Sequence, residues 1–353
     1  MKKLAAAVLG YGGMGRVHAA RYAGQKAVRL VALCDINPAQ FKNVSAEINL
    51  GSFGEVSAEG LGLYESYEAL VAAGRGKIDI MDVCLPAYLH EEYAIRALQD
   101  GFHVICEKPM ALTSRGAVRM VAAREKAGRE LMIAQCVRFD PLTLTLPALV
   151  REGRYGRLLR LDMHRYGCYS AKALKEPRSW YYDEKTSGGA ILDLHLHDLD
   201  FVQAMFGAPE AVACHAVRGL SGGWDDAETY FRFSSLPGAI VSAHGSWMQA
   251  ATVFDAGFTA LFEKAVYSVN AKGPNLRLID NPTKPVKPPK ADTSRDMYAL
   301  EIDYFARCIQ KGVSPERCMP ESTANSVALV EAARRSAEKD GAWVKTTSLP
   351  FPS

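Results

Sequence analysis

Three groups of residues in this chain have the types and the spacing to do chemistry. The first is Gly10-Tyr11-Gly12-Gly13-Met14-Gly15, a G-x-G-x-x-G run, with Asp35 twenty residues beyond its last glycine. In such a run the first glycine makes a tight turn, the second lets the backbone approach a pyrophosphate, and the third lets a helix pack close to a strand. The helix N-terminus then offers free N–H groups and a partial positive charge to phosphate. A carboxylate at Asp35 would accept hydrogen bonds from the adenosine ribose hydroxyls and would repel a 2′-phosphate. Ile36 and Asn37 bring no cation to offset it, so the expected cofactor is NAD, with NADP the lesser alternative.

The second group centres on Lys108, in Cys106-Glu107-Lys108-Pro109. It follows a run, His103–Cys106, that reads as a central strand of a parallel sheet, and the carboxyl ends of such strands open onto the ligand crevice. A lysine there reaches a substrate oxygen beside a nicotinamide. Pro109 is expected to hold an unusual turn, a cis bond among the options, that aims the side chain.

The third group lies in Gly188–Phe206, GGAILDLHLHDLDFVQAMF. On a helix advancing about 100° per residue, Asp193, His197 and Asp200 share one narrow stripe, and Ile191, Leu192, Leu194, Leu196, Leu199, Val202 and Phe206 cover the rest. A helix apolar on nearly all sides is buried. Burying an unpaired charge costs several kcal/mol, so the Asp–His–Asp stripe must have partners or a task. His195, about 200° from Asp193 at the same helical advance, reads as a structural histidine hydrogen-bonded in the core. Residues i and i+2 point in different directions, so His195 and His197 cannot chelate one ion; Asp193 and His197, at i and i+4, keep that option, but no metal site is expected.

The elements that must hold these groups follow from the hydrophobic pattern. Strands are expected at Leu4–Leu9, Val28–Cys34, Leu61–Tyr64, Ile78–Leu85, His103–Cys106 and Leu131–Gln135. Helices are expected between them, over about Met14–Gly24, Pro38–Asn49, Ser66–Ala73, Tyr88–Gln99 and, capped by Thr113, to Ala127. Repeated strand–helix units of this kind imply a parallel, right-handed, doubly wound sheet. From Cys136 the texture changes. Leu158–Tyr166, Ala211–Val217, Thr229–Phe233, Ala239–Ser246 and Ala265–Asn270 read as longer strands without intervening helices, hence a largely antiparallel sheet. Asn281–Lys290, with four prolines, reads as an extended loop, and Met297–Lys311 and Ser322–Asp340 as amphipathic helices. The fold expected is an α/β Rossmann domain over residues 1–135 and an α+β domain with a large, mainly antiparallel open sheet over 136–353, with the C-terminal helices available to pack back on the first.

Composition narrows the partners. The 353 residues are 48% hydrophobic and 23% charged, proportions of a globular chain, and 42 basic against 39 acidic residues give a formal charge of +3. That excess sets up no large attractive field, so no nucleic-acid partner is expected. Lys2-Lys3 ahead of Leu4–Leu9 resembles a signal peptide only superficially: the apolar run is shorter than a signal core of ~7–15 residues and ends in the glycine turn. No uncharged apolar stretch reaches ~18 residues, so no membrane span is expected. Eight cysteines without a CxxC read as small buried hydrophobes in a reducing, cytoplasmic setting.

Taken in order along the chain, Gly10–Gly15, Glu107-Lys108-Pro109, and Gly188-Gly189 leading to Asp193-x-x-x-His197-x-x-Asp200 resemble the glucose–fructose oxidoreductase / inositol dehydrogenase (Gfo/Idh/MocA) family over essentially the whole chain. The resemblance implies a Rossmann domain followed by a domain whose open sheet forms oligomer contacts, in a homodimer or homotetramer. By resemblance Lys108, Asp193 and His197 match the family's catalytic lysine, aspartate and histidine. The cofactor site is expected at Gly10, Tyr11, Gly12, Met14, Gly15, Asp35, Leu85, Pro86, Glu107 and Lys108. His195 departs from the glycine of many members. The strand Asp162–Tyr166 resembles one that contacts polyol substrates in inositol dehydrogenases; alternation puts His164 and Tyr166 on one face, and these two with Trp180 are the expected substrate residues.

The chemistry so implied is reversible oxidation of a secondary alcohol on a sugar, inositol or related polyol, with hydride passing to NAD. His197 would act as general base, Asp193 would orient or charge-stabilise its imidazole, and Lys108 would stabilise the developing alkoxide. Two alternatives remain: an NAD-dependent glycosidase of the same fold working by transient oxidation and elimination, and a non-catalytic NAD-binding regulator.

Overall fold

A computed structural model of the chain describes residues 2–42, 45–48, 51–169, 179–250, 254–284 and 286–351. The chain divides into two compact units, one of Met1–Cys136, Asp296–Ala324 and Leu349–Ser353, the other of Val137–Arg295 and Asn325–Ser348.

The first unit is built on six parallel strands: β1 (Leu4–Leu9), β2 (Val28–Cys34), β5 (Gly62–Tyr64), β6 (Ile80–Val83), β7 (His103–Glu107) and β8 (Leu131–Ala134). Their spatial order is β5-β2-β1-β6-β7-β8. The chain thus winds one way from β1 to β2 and the other way from β1 to β6, and ligands of such sheets bind at this switch point, outside the carboxyl ends of the strands. Ala5, Ala6, Ala7, Val8 and Leu9 are all buried, which explains a strand apolar without alternation. Around the sheet lie α1 (Gly13–Tyr22), α2 (Tyr67–Gly74), α3 (His90–Gln99) and α4 (Ser114–Ala127). Ser66 caps α2 and Thr113 caps α4, each accepting an amide N–H three residues on, at 3.2 and 3.1 Å.

The helix expected over Pro38–Asn49 does not form. Its place is taken by a 3₁₀ turn at Pro38–Lys42 and a hairpin of β3 (Ser45–Ile48) with β4 (Gly51–Glu55); Asn43, Val44 and Asn49 lie outside the described residues. Proline opens the turn, but Asn43-Val44-Ser45 has low helix propensity.

The second unit is an eight-stranded sheet in the order β15-β14-β13-β9-β12-β11-β10-β16. Its members are β9 (Leu158–Gly167), β10 (Ala211–Arg218), β11 (Trp224–Arg232), β12 (Ile240–Ser246), β13 (Phe254–Phe262), β14 (Ala265–Asn270), β15 (Gly273–Leu278) and β16 (Val344–Lys345). Every pairing is antiparallel except β9 with β12. Sequence reading missed β13. Its inward residues Phe258, Ala260 and Phe262 alternate and are buried, but Gly257 masks the pattern; a Cβ there would stand 1.9 Å from the Val269 carbonyl oxygen, so close strand approach demands glycine. Helices α5 (Thr145–Glu152), α6 (Glu184–Ser187), α7 (Gly189–Asp193) and α8 (Leu196–Phe206) belong to this unit. Of the tail helices, α9 (Met297–Lys311) runs as expected and α10 spans Pro320–Ala337. Among the described residues no helix is long and apolar enough to cross a membrane.

Candidate active site

The glycine loop is shaped as its sequence demands. Gly10 has φ +93°, and a Cβ on it would stand 2.6 Å from the Cys84 carbonyl oxygen. A Cβ on Gly15 would stand 1.9 Å from the Gly10 carbonyl oxygen, so α1 lies directly against the end of β1 only because both are glycine. Gly12 differs: nothing lies within 4 Å of its Cβ position. The backbone there is open, and Gly12 caps α1 without a side chain, leaving the first-turn N–H groups to a ligand, with no acidic residue in that turn. These features fit a pyrophosphate. Asp35, just past the end of β2, accepts the Tyr11 amide through Oδ2 and the Asn37 amide through Oδ1, each at 2.8 Å, so the carboxylate is held beside the loop. Met14 and the Leu85-Pro86 pair, the latter just beyond the end of β6, are half-buried.

Lys108 follows the last residue of β7, and the Lys108–Pro109 bond is cis. β7 is the second neighbour of β1, across β6, so the lysine springs from the same carboxyl edge of the sheet as the glycine loop. Its amide donates to Glu107 Oε2 at 3.0 Å.

In the second unit the expected continuous helix over Gly188–Phe206 is broken. α7 ends at Asp193 and α8 begins at Leu196; the amides of Leu194 and His195 both donate to the Ala190 carbonyl, at 2.8 and 2.9 Å. An i→i−5 bond of this kind is a local π-type widening, and it shifts the angular count across it. The sheet supplies the cause. His195 is fully buried, its Nε2 lies 2.9 Å from Thr229 Oγ1, and a Cβ on Gly245 would stand 2.6 Å from His195 Cβ. His195 is the core histidine expected, and burial lowers its pKa to about 3, with the nearby His244 acting in the same direction.

The acidic residues of this segment have separate partners rather than one stripe. Asp200 receives both Nε and Nη2 of Arg138 at 2.7 Å and the Ser326 hydroxyl at 2.7 Å. Asp198 receives Arg165 Nε and Nη2 at 3.2 and 2.9 Å; burial pushes its carboxyl up, against the pull of that guanidinium. Asp193 accepts the Tyr181 hydroxyl at 2.7 Å. Burial, and next the Asp193 charge, raise the Tyr181 pKa well above the ordinary phenol value, so Tyr181 remains the donor. His197 and Asp193 are both buried. Tyr181, Arg138 and Arg165 were not singled out in the sequence; only the need of buried carboxylates for partners pointed to such residues, without saying which.

His164 and Tyr166 do share a face of β9, as alternation requires, but not the face that carries α8. Arg165 between them reaches Asp198 on α8, while Tyr166 bonds His244 Nδ1 at 3.1 Å and His164 Nε2 lies 3.6 Å from Asp255. The structure therefore does not bring these two together with Asp193 and His197. Trp180 is 39% exposed, its ring 5.6 Å from that of Tyr181.

Comparison with known proteins agrees with this architecture. Residues 4–135 match the oxidoreductase family with an NAD-binding Rossmann fold, and residues 143–268 match the GFO/IDH/MocA C-terminal domain. The inositol 2-dehydrogenase of Rhizobium meliloti (strain 1021) is 27% identical over 345 residues, covering 94% of this chain and 96% of that protein. The 2,7-anhydro-N-acetylneuraminate hydratase of Escherichia coli (strain K12) is 35% identical over 148 residues, 42% of this chain and 38% of that protein. A levoglucosan dehydrogenase solved in complex with NADH and levoglucosan superposes with a TM-score of 0.81 at 20% identity, covering 98% of this chain and 100% of that one, a likeness of fold.

Proposed function

The chain belongs to the Gfo/Idh/MocA oxidoreductase family, and we propose that it is a dehydrogenase oxidising a secondary alcohol of a sugar, inositol or related polyol. Bound NAD supplies the hydride acceptor. The observation that carries the reading is Lys108 at the carboxyl end of β7, on the same sheet edge as an open, uncapped glycine loop. Gly10, Gly12 and Gly15 let the loop backbone close on the pyrophosphate, flanked by Tyr11, Met14, Leu85 and Pro86. Asp35 takes the ribose hydroxyls. Glu107 holds the turn from which Lys108 extends.

His197 removes the hydroxyl proton as general base. Asp193, hydrogen-bonded by Tyr181, orients that imidazole. Lys108 donates to the same substrate oxygen and stabilises its negative charge as the proton leaves. Trp180 is the remaining substrate residue of this reading; His164 and Tyr166 would serve it only from the other sheet face. The enzyme is further read as a cytoplasmic homodimer or homotetramer, with residues 1–135 as the cofactor domain and 136–353 as the substrate and assembly domain.

A relative named as a hydratase keeps the transient-oxidation glycosidase as the second reading. Absorbance at 340 nm with NAD or NADP against inositols, aldoses, amino sugars and glycosides separates the possibilities. Net NADH formation on a free polyol supports the dehydrogenase. Sugar release from a glycoside without net NADH supports the glycosidase, and NAD binding without any turnover supports a regulator. Lys108→Met is expected to lower turnover by orders of magnitude with NAD affinity nearly intact; activity that survives it refutes the assignment of Lys108.

A further inference from the structure

The Glu107-Lys108-Pro109 turn is gripped on both sides by buried histidines that the chemistry above does not use. On one side, the Glu107 carboxylate is bifunctional: Oε2 accepts the Lys108 amide at 3.0 Å and Oε1 lies 3.0 Å from Nε2 of His18. His18, on α1, is fully buried, and its Nδ1 stands 3.0 and 3.1 Å from the two carboxylate oxygens of Asp82 on β6. Asp82 also accepts the Tyr22 hydroxyl at 2.8 Å and the Cys84 thiol at 3.3 Å. On the other side, His90, the first residue of α3, is 1% exposed. Its Nδ1 lies 2.7 Å from the Pro109 carbonyl oxygen and its Nε2 2.7 Å from that of Leu85.

We infer that His18 and His90 are positioning residues for Lys108: His18 acts through the Glu107 side chain on the residue before it, and His90 through the Pro109 carbonyl on the residue after it. The inference rests on the reading of Lys108 as the group that stabilises the substrate oxygen. Neither histidine need touch substrate or cofactor. A lysine side chain has four rotatable bonds, so its ammonium is placed only as well as the backbone it springs from, and a misplacement of ~1 Å costs about 10²-fold in rate.

The charges agree with this arrangement. Carboxylates at both ring nitrogens of His18 call for two N–H donors, hence an imidazolium. Burial opposes that charge, but Asp82 and its hydrogen bond outweigh it and hold the His18 pKa well above 6.5. Glu301, on α9, is fully buried with Oε1 4.0 Å from His18 Nε2. Burial drives its pKa well above the usual carboxylate range, against the pull of His18. His18, Asp82 and Cys84 are also ligand types with atoms within 4.8 Å of one another. Burial raises the Cys84 thiol, and Asp82 adds to that shift, which keeps it a hydrogen-bond donor rather than a thiolate ligand.

The two histidines permit a crossed test. The amide nitrogen of Asn stands two bonds from Cβ, like Nδ1, and that of Gln three bonds, like Nε2. His18→Gln therefore keeps the donor to Glu107 and His18→Asn keeps only the one to Asp82. For His90 the order reverses: burial lowers its pKa, the neutral ring has one N–H, and in the tautomer inferred here Nδ1–H donates to Pro109, a donor that Asn keeps and Gln, whose amide reaches toward Leu85 instead, does not. In the full-length enzyme, His18→Asn and His90→Gln are expected to lower kcat about 10- to 100-fold, with NAD affinity, read by fluorescence titration, within about threefold. His18→Gln and His90→Asn are expected to retain most of kcat. A kcat order that simply follows thermal stability, or four variants with wild-type kcat, overturns the inference. Should a clamp-breaking variant not fold, Glu107→Asp decides by kcat at saturating NAD: it shortens the arm but keeps its charge, and unchanged kcat overturns the inference while a loss of about 10- to 100-fold supports it. Lys108→Met separates the two levels. Turnover that survives it removes the role of Lys108 itself, whereas turnover lost with it beside an uncrossed histidine pattern removes only the positioning role.

Discussion

Replacing Arg138 by Met measures whether Asp200 is a structural anchor of α8 rather than part of a catalytic stripe. The guanidinium makes two parallel N–H···O bonds of 2.7 Å to Asp200, with the two side chains 5% and 1% exposed. Removing one member of so buried a pair leaves a carboxylate out of water, a cost of about 3–5 kcal/mol. Ser326 donates to Asp200 at 2.7 Å in the intact protein already, so that bond cancels in the comparison. The expected loss is about 3–5 kcal/mol. Asp200→Asn alone takes the carboxylate charge away from the buried guanidinium and is expected to cost a similar amount. The double variant strands neither charge, so it is expected to be less destabilised than the two losses summed, by about 2 kcal/mol or more. Urea unfolding followed by circular dichroism, extrapolated to water for all four proteins, gives the cycle. Single losses below about 1 kcal/mol, or strictly additive losses, would show that the pair does not anchor the helix.

Two further outcomes are expected. Asp35→Ser removes the charge while keeping a short acceptor for the Tyr11 amide; the ratio of kcat/KM for NAD to that for NADP should fall about 10- to 100-fold, the scale of a lost charged hydrogen bond, and an unchanged ratio would remove Asp35 from the cofactor site. His195→Gln tests the core histidine by pH. The folded-state pKa of His195 is lowered to about 3, so between about pH 6.5 and 3 the unfolded chain binds a proton that the native one refuses. Its contribution is present above the unfolded value of ~6.5 and is lost as pH falls, at about 1.4 kcal/mol per pH unit. The wild type should therefore lose stability relative to His195→Gln as pH drops from 6.5 to 4.5; parallel stability curves would contradict the burial of a neutral imidazole.

Elements whose local signals agree with one another were legible from sequence. β1, the glycine turn and α1 each carry a cue of their own, and the cues point to one conformation. The hairpin β3–β4 was not legible, because Pro38 opens a 3₁₀ turn as readily as a helix and the residues after it have no strong period. β13 was hidden for a different reason. Gly257 is needed by the neighbouring strand, through the approach of the Val269 carbonyl, and a requirement set by a partner strand leaves no periodicity in the strand that meets it.

For the site, legibility stopped where the backbone left ideal geometry. The angular count that put Asp193, His197 and Asp200 in one stripe assumes 3.6 residues per turn throughout, but Leu194 and His195 both bond the Ala190 carbonyl, so the count is not continuous across His195. Burial of charge survived that error as a guide, since its cost does not depend on helical phase. It required partners for each acid, and the structure supplies guanidinium groups to Asp198 and Asp200, but a phenol to Asp193. The distinction bears on chemistry. A carboxylate clasped by both arms of a buried arginine is committed to holding the fold. Asp193 accepts the Tyr181 hydroxyl, and it is the resemblance to the family, not helical phase, that pairs it with His197 in the proposed function.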